Sequence, residues 1–192
     1  LQPYTLDKPK CMVELDGMSL LERQLNILRS ADFTNICLIG GYRADNLARF
    51  DLPVFLNEIY DSTNMVWSLF CAEDQFLEGA LISYGDIVYS STVLNAMAES
   101  EHDISVAVDM NWLDYWKARN EDPLDDAETL VLSPSNQILE IGQKPNAIDE
   151  IDGQYIGLIK LSKKGADQIR DIFHDAKRSG SLTGKPVENA YM

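Results

Sequence analysis

An α/β fold, with a mostly parallel sheet and a small antiparallel addition, is predicted by two features of the sequence. Through about residue 110, short apolar runs alternate with helical patterns, the signature of right-handed crossover units. After residue 120 the runs become shorter and are joined by turn-rich pieces such as Ser133-Pro134-Ser135-Asn136, the pattern of antiparallel strands.

The first helix spans roughly 19 to 30, because Ser19-Leu20-Leu21-Glu22 is a capping box and Leu21, Leu25 and Leu28 follow at helical spacing. Ile36-Cys37-Leu38-Ile39 is continuous and apolar and ends at Gly40-Gly41, which reads as a strand buried on both faces in a parallel sheet. Further strands are expected at Val54-Phe55-Leu56, Ala80 to Tyr84 and Ile104 to Val108, with helices near 62 to 76 and 91 to 100. In the second part, Thr129 to Leu132, Ile138 to Ile141 and Tyr155 to Ile159 read as strands. A last helix begins near Ser162 and carries Ala166, Ile169, Phe173 and Ala176 as one apolar stripe. The ligand crevice of such a fold lies at the carboxyl ends of its strands.

The chain has 192 residues, 16 Lys and Arg against 31 Asp and Glu, and a formal net charge of −15. Neutralising nucleic-acid phosphates or anionic lipid takes clustered cations, so neither nucleic acid nor a membrane is an expected partner. No run approaches the roughly 18 to 20 apolar residues that span a bilayer, and the first residues lack a signal-peptide layout; a cytoplasmic protein is expected. Cys11, Cys37 and Cys71 are odd in number and widely spaced, and read as reduced, mostly buried thiols. The whole of 1–192 reads as a single domain, with a short piece expected to be missing at each side.

No GxGxxG turn is present. The P-loop-like stretch Gly180 to Lys185 has too few residues between its glycines and is followed by Pro186 where a metal-binding hydroxyl belongs. His102 and His174 lack a zinc spacing or a nucleophile partner and read as surface or packing residues. Asp86 is more informative. It follows Tyr84-Gly85 at the end of an apolar strand, where a carboxylate points into the crevice and suits Mg²⁺; the alternative is a cap or turn aspartate. Lys8-Pro9-Lys10 and Gln143-Lys144-Pro145 set cations beside rigid prolines, suited to neutralising phosphate charge or, alternatively, to solvated turns.

Taken in order, Leu1-Gln2-Pro3-Tyr4-Thr5, Lys8-Pro9-Lys10-Cys11-Met12, Leu20-Leu21-Glu22-Arg23-Gln24, Gly40-Gly41-Tyr42, Tyr84-Gly85-Asp86 and Gln143-Lys144-Pro145 resemble the nucleotidyltransferases that activate sugar phosphates and phosphocholine. Asn57-Glu58-Ile59-Tyr60, Ser62-Thr63-Asn64-Met65 and Asn120-Glu121-Asp122-Pro123-Leu124 are similar to the phosphocholine cytidylyltransferase-like branch. The resemblance implies a Rossmann-like domain, a Mg²⁺ ion, and attack of an acceptor phosphate oxygen on the α-phosphorus of a nucleoside triphosphate, CTP in this branch, with release of pyrophosphate. It also implies a place in cell-surface polysaccharide biosynthesis. Carried over by motif, Lys10 stabilises charge on the triphosphate and Asp86 binds Mg²⁺, with Tyr84 and Gly85 beside it at the substrate. Asn64 faces the nucleotide and Lys144 contacts the acceptor phosphate. The family's glycine-rich loop is expected before Leu1 and its second metal-binding aspartate after Met192, and Gln143 stands where relatives commonly carry Glu. Two other classes stay open: a catalytically inactive nucleotide-binding or regulatory module, and a sugar-1-phosphate nucleotidyltransferase.

Trp112, Tyr115 and Trp116 share one face if their segment is helical, close in sequence to Asp109 and Asp114. Aromatic faces attract quaternary ammonium, which makes phosphocholine the leading expected acceptor; the alternative is that the three rings pack a helix against the sheet.

Overall fold

The computed structural model describes residues 3–180, so Leu1, Gln2 and most of the P-loop-like stretch lie outside the described residues. The chain divides into two compact units, residues 1–105 with 159–192, and residues 106–158.

In the first unit, β1 (Glu14–Leu15) and β2 (Met18–Ser19) form an antiparallel hairpin. Its two-residue loop is Asp16-Gly17, both at positive φ (50° and 72°), the conformation that Asp-Gly supplies at low cost. Helix α1 (Leu20–Ser30) follows at once. Its capping box is formed: Ser19 N–H donates to Glu22 Oε2 at 2.9 Å, and Glu22 N–H donates to Ser19 Oγ at 3.2 Å. The helix buries Leu21 and Leu25 with Leu47, whose segment is a 3-10 helix (Ala44–Phe50) that the sequence pattern does not announce.

Strand β3 (Leu38–Gly40) pairs in parallel with β4 (Val54–Leu56), Leu38 opposite Val54 and Gly40 opposite Leu56. The strand expected over Ile36–Ile39 is therefore shifted toward Gly40, and its three residues are half-buried rather than covered on both faces. The helix expected over 62 to 76 is short: α2 (Met65–Phe70), then a 3-10 turn (Glu73–Gln75). Helix formation is delayed because Ser62 and Thr63 donate their hydroxyls to the Ile59 carbonyl, a local alternative to helical bonding. After β5 (Ala80–Ser83) comes α3 (Ser91–Glu99), capped by Ser90.

Strands β6 (Ile104–Asp109) and β9 (Gln154–Leu161) carry the chain into the second unit and back, and with β5 form a three-stranded sheet in the order β5-β9-β6. The single mostly parallel sheet expected from the alternation is thus divided among the described residues. The β3-β4 pair stands apart from the β5 sheet, and a cavity of about 410 Å³, lined by Leu25, Cys37, Ile39, Phe76 and Leu81 among others, touches both β3 and β5.

Helix α5 (Lys163–Arg178) closes the described chain, its N-terminus capped by Ser162 Oγ accepting from Gly165 N–H at 3.1 Å. Its apolar stripe is seated as expected: Ala166 and Phe173 are buried, and Phe173 stacks on Phe70 with centroids 3.6 Å apart. Ala166 joins Phe76 and Leu161 in the second core cluster.

The second unit holds α4 (Trp112–Arg119) and the antiparallel ribbon of β7 (Leu130–Leu132) and β8 (Ile138–Ile141), with an irregularity between Val131 and Leu132. Its core is Trp112, Ala127 and Ile151. Gln154 Nε2 donates to the Glu128 carbonyl at 2.6 Å and so ties the start of β9 to the segment before β7. Among the described residues no helix is long and apolar enough to cross a membrane. The three cysteines are free, as expected, but only half-buried.

Candidate active site

A second cavity of the first unit, about 440 Å³, lies where β3 and β5 end, and Lys10, Cys11, Gly40, Gly41, Gly85 and Asp86 line it. Pro9, extended at φ −69° and ψ 158°, sets Lys10 at the start of a single 3-10 turn (Lys10–Met12). Lys10 Nζ stands 3.8 Å from Asp86 Oδ2, with side-chain exposures of 64% and 38%. Such an open pair contributes at most about 1 kcal/mol to stability, so both groups can be recruited by a ligand at little structural cost.

Glycine is demanded around this cavity by close approach. A Cβ on Gly40 would meet Ala44 Cβ at 2.8 Å, one on Gly41 would meet Tyr60 Cβ at 2.5 Å, and one on Gly85 would meet Cys11 Cβ at 3.0 Å. Burial pushes the Cys11 thiol up to about 11, and the Asp86 charge adds to it. Cys11 is accordingly a neutral wall of the cavity near neutral pH, without nucleophile character.

Lys10, Gly85 and Asp86 are thus brought together at one cavity. Asn64 and Tyr84 do not line the cavity. Asn64 caps α2, its Oδ1 accepting from Trp67 N–H at 3.1 Å, and the loop before it is organised by the buried Asn57, which donates to Thr63 Oγ1 and Ser68 Oγ, both at 2.9 Å. The Tyr84 carbonyl accepts from the buried Gln24 of α1, a contact that sequence reading missed. A signal was present: a polar residue at i+3 from Leu21 interrupts the apolar stripe.

The aromatic residues and Lys144 belong to the second unit. Trp112 is 3% exposed and packs edge-on against Trp116, centroids 6.0 Å apart. Trp116 Nε1 donates to the Asp126 carbonyl at 3.2 Å. The Arg119 guanidinium lies over the rings of Tyr115 and Trp116, 5.2 and 5.5 Å from their centroids. Lys144 Nζ donates to the carbonyls of Leu124 and, at 2.9 Å, Asp125, and so closes the 3-10 turn Pro123–Asp125. Among the described residues no three His, Cys, Asp or Glu side chains form a metal-holding group, so Asp86 offers its cavity one carboxylate.

An exposed ammonium and a partly exposed carboxylate face each other over a glycine-walled cavity at strand ends, a chemistry that suits an anion such as phosphate. Residues 5–133 match the MobA-like NTP transferase domain. The chain belongs to that family. Its resemblance to nucleotidyltransferases extends over the whole length: CTP:phosphoglutamine cytidylyltransferase of Campylobacter jejuni is 36% identical over 203 residues, covering 100% of this chain and 80% of the relative. A choline-phosphate cytidylyltransferase of Streptococcus pneumoniae is 21% identical over 53% of this chain and 46% of its own length. Among solved structures, CTP:phosphocholine cytidylyltransferase from S. pneumoniae superposes with a TM-score of 0.66 at 17% identity, covering 94% of this chain and 73% of that one. The inositol-1-phosphate CTP transferase from T. maritima gives 0.64 at 18% identity, covering 92% of this chain and 75% of that one. These two establish the nucleotidyltransferase fold of this mixed α/β chain.

Proposed function

We propose that this NTP transferase moves a cytidylyl group from CTP to a phosphorylated acceptor. The observation that carries the reading is the 36% identity to a cytidylyltransferase over the full chain, joined to a facing Lys10 and Asp86. An oxygen of the acceptor phosphate forms a bond to the α-phosphorus while the bond from that phosphorus to the β-phosphate oxygen breaks, and its electron pair leaves with pyrophosphate. Lys10 supplies positive charge to the triphosphate as negative charge builds on it. Gly40, Gly41 and Gly85 let the ligand approach backbone rather than side chains. Mg²⁺ takes one or two carboxylates together with substrate phosphates, and Asp86, the carboxylate that lines the cavity among the described residues, fits that donor set. When bound, the ion would neutralise phosphate charge. Lys144 would meet the acceptor phosphate with the third N–H that its ammonium retains after the two carbonyls. Asn64 would act by shaping the loop that precedes α2. The β3-β4 pair supports a Rossmann-like description of the nucleotide half.

For the acceptor, the chemistry favours phosphoglutamine, the substrate in the name of the 36% identical relative, over phosphocholine. An ammonium approaching Tyr115 and Trp116 would meet the Arg119 guanidinium over both rings, whereas the same group attracts the carboxylate of an amino acid. One pyrophosphate-release assay with Mg²⁺ tests these points. The expected outcome is turnover with CTP above UTP or dTTP, faster with phosphoglutamine than with phosphocholine, and loss of at least about 100-fold in Asp86→Ala. Near wild-type turnover by that variant would remove Asp86 from the chemistry, and a preference for phosphocholine would reverse the acceptor assignment.

A further inference from the structure

Gln24 is 4% exposed, on the face of α1 that also buries Leu21 and Leu25. Its amide makes three hydrogen bonds, all to the segment 83–87 that carries Asp86. Nε2 donates to the Tyr84 carbonyl at 2.9 Å and to the Ile87 carbonyl at 2.8 Å, and Oε1 accepts from Ser83 Oγ at 3.0 Å. The reversed amide would set an oxygen against two carbonyl oxygens, so the chemistry fixes this orientation.

The position of these partners matters. Strand β5 ends at Ser83, so Tyr84 to Ile87 have left the ladder that would fix their backbone. The two carbonyls held by Gln24 bracket Gly85-Asp86. On the other side, the 3-10 turn of Lys10 comes so close that Gly85 has room for no side chain without crowding Cys11. Asp86 is therefore carried by a short arch clamped from α1 on one side and abutted by the Lys10 turn on the other. No other side chain of similar length offers two N–H groups and an acceptor: ionised Glu lacks donors, Leu lacks both, and Met has no donor and only a weak acceptor sulfur.

We propose that Gln24 is a positioning residue for Asp86, a buried amide clamp whose bonds to Tyr84, Ile87 and Ser83 set where the Asp86 carboxylate stands opposite Lys10. This rests on the reading of Asp86 given above. A clamp of this kind acts on placement, and a misplacement near 1 Å can cost on the order of 100-fold in rate. Binding of the nucleotide by Lys10 and the glycine-walled backbone is left in place.

Gln24→Met, of similar length, removes the bonds; Ser83→Ala, a milder change, removes the bond to Oε1 together with the longer contact of Ser83 Oγ to the Tyr84 carbonyl at 3.2 Å, and leaves both Nε2 bonds of Gln24. Each is compared with the wild type by circular dichroism, by kcat and KM for CTP, and by Mn²⁺ binding in the absence of nucleotide, followed by electron paramagnetic resonance. In Gln24→Met, kcat is expected to fall by on the order of 100-fold with KM for CTP within about threefold of wild type. Mn²⁺ affinity should fall about tenfold, and Ser83→Ala should show a smaller loss of the same kcat-selective kind. If Gln24→Met does not fold, Ser83→Ala decides alone: wild-type kcat and Mn²⁺ affinity overturn the proposal. Asp86→Asn, measured in parallel, separates the two levels. Full turnover by Asp86→Asn overturns the reading of the site and the proposal with it; an inactive Asp86→Asn beside a fully active Gln24→Met leaves that reading standing and overturns the clamp.

Discussion

A Cβ at position 41 would lie 2.5 Å from Tyr60 Cβ and 2.6 Å from its Cγ, closer than such atoms approach in folded proteins. Gly41→Ala is expected to destabilise the protein by about 1 to 3 kcal/mol, the usual range for overpacking. The cause is specific, so it can be checked by a double-mutant cycle in urea: in a Tyr60→Gly background the same change should cost markedly less. Equal cost in both backgrounds would place the strain elsewhere. At this scale the sequence shows the glycines but not their reason. Gly40-Gly41 reads as the end of a strand, and only the approach of Ala44, Leu47 and Tyr60 turns it into the wall of a cavity. Cys11 is a parallel case, because its raised titration depends on burial beside Asp86, 75 positions away in the chain.

Among the elements, α1 is the one whose local rules are most fully met, and it carries Gln24. Ser19 and Glu22 satisfy each other's backbone N–H groups, and Ser19 Oγ also donates to Glu22 Oε2 at 2.7 Å. Those bonds hold the Glu22 carboxyl below its ordinary range, with Arg49 adding a smaller contribution. Ser19→Ala removes the side chain that caps α1 and should lower stability by about 1 kcal/mol, visible as an earlier urea midpoint with unchanged slope. An unchanged midpoint would show that the box adds nothing to a helix already held by packing. The less regular elements are those with competing local bonds: Ser62 and Thr63 delay α2, and the two-residue strands of the Asp16-Gly17 hairpin are too short to leave a period in the sequence.

On the scale of the whole molecule, contacts remote in sequence organise the first unit. Glu73, after α2, accepts from Arg170 Nε at 2.9 Å and lies 2.8 Å from His174 Nε2, both on α5, beside the stacked Phe70 and Phe173. The hydrogen bond to His174 first, and that to Arg170, hold the Glu73 carboxyl below its ordinary value of 4.5. A depressed carboxyl contributes stability above its unfolded value and loses it as pH falls through the lower native one. Glu73→Gln should cost about 1 kcal/mol near neutral pH, with the difference from wild type shrinking stepwise in acid. A difference independent of pH would mean that packing, not charge, joins these segments. The helix capped by Ser19, the strands at Val54 and Ile138 and the apolar stripe of α5 were all legible in the sequence, because each depends on neighbours within a few residues; the Lys10 and Asp86 strings could be read locally, but that the two side chains face each other across 76 positions could not. Tertiary structure alone decided that β3 and β5 would not pair directly, that Trp112 would be core while Arg119 covered Tyr115 and Trp116, and that Gln24 would reach Tyr84 and Ile87. Spacing records what a residue presents along its own element, whereas burial and hydrogen-bond satisfaction depend on partners about sixty positions away that no local period encodes.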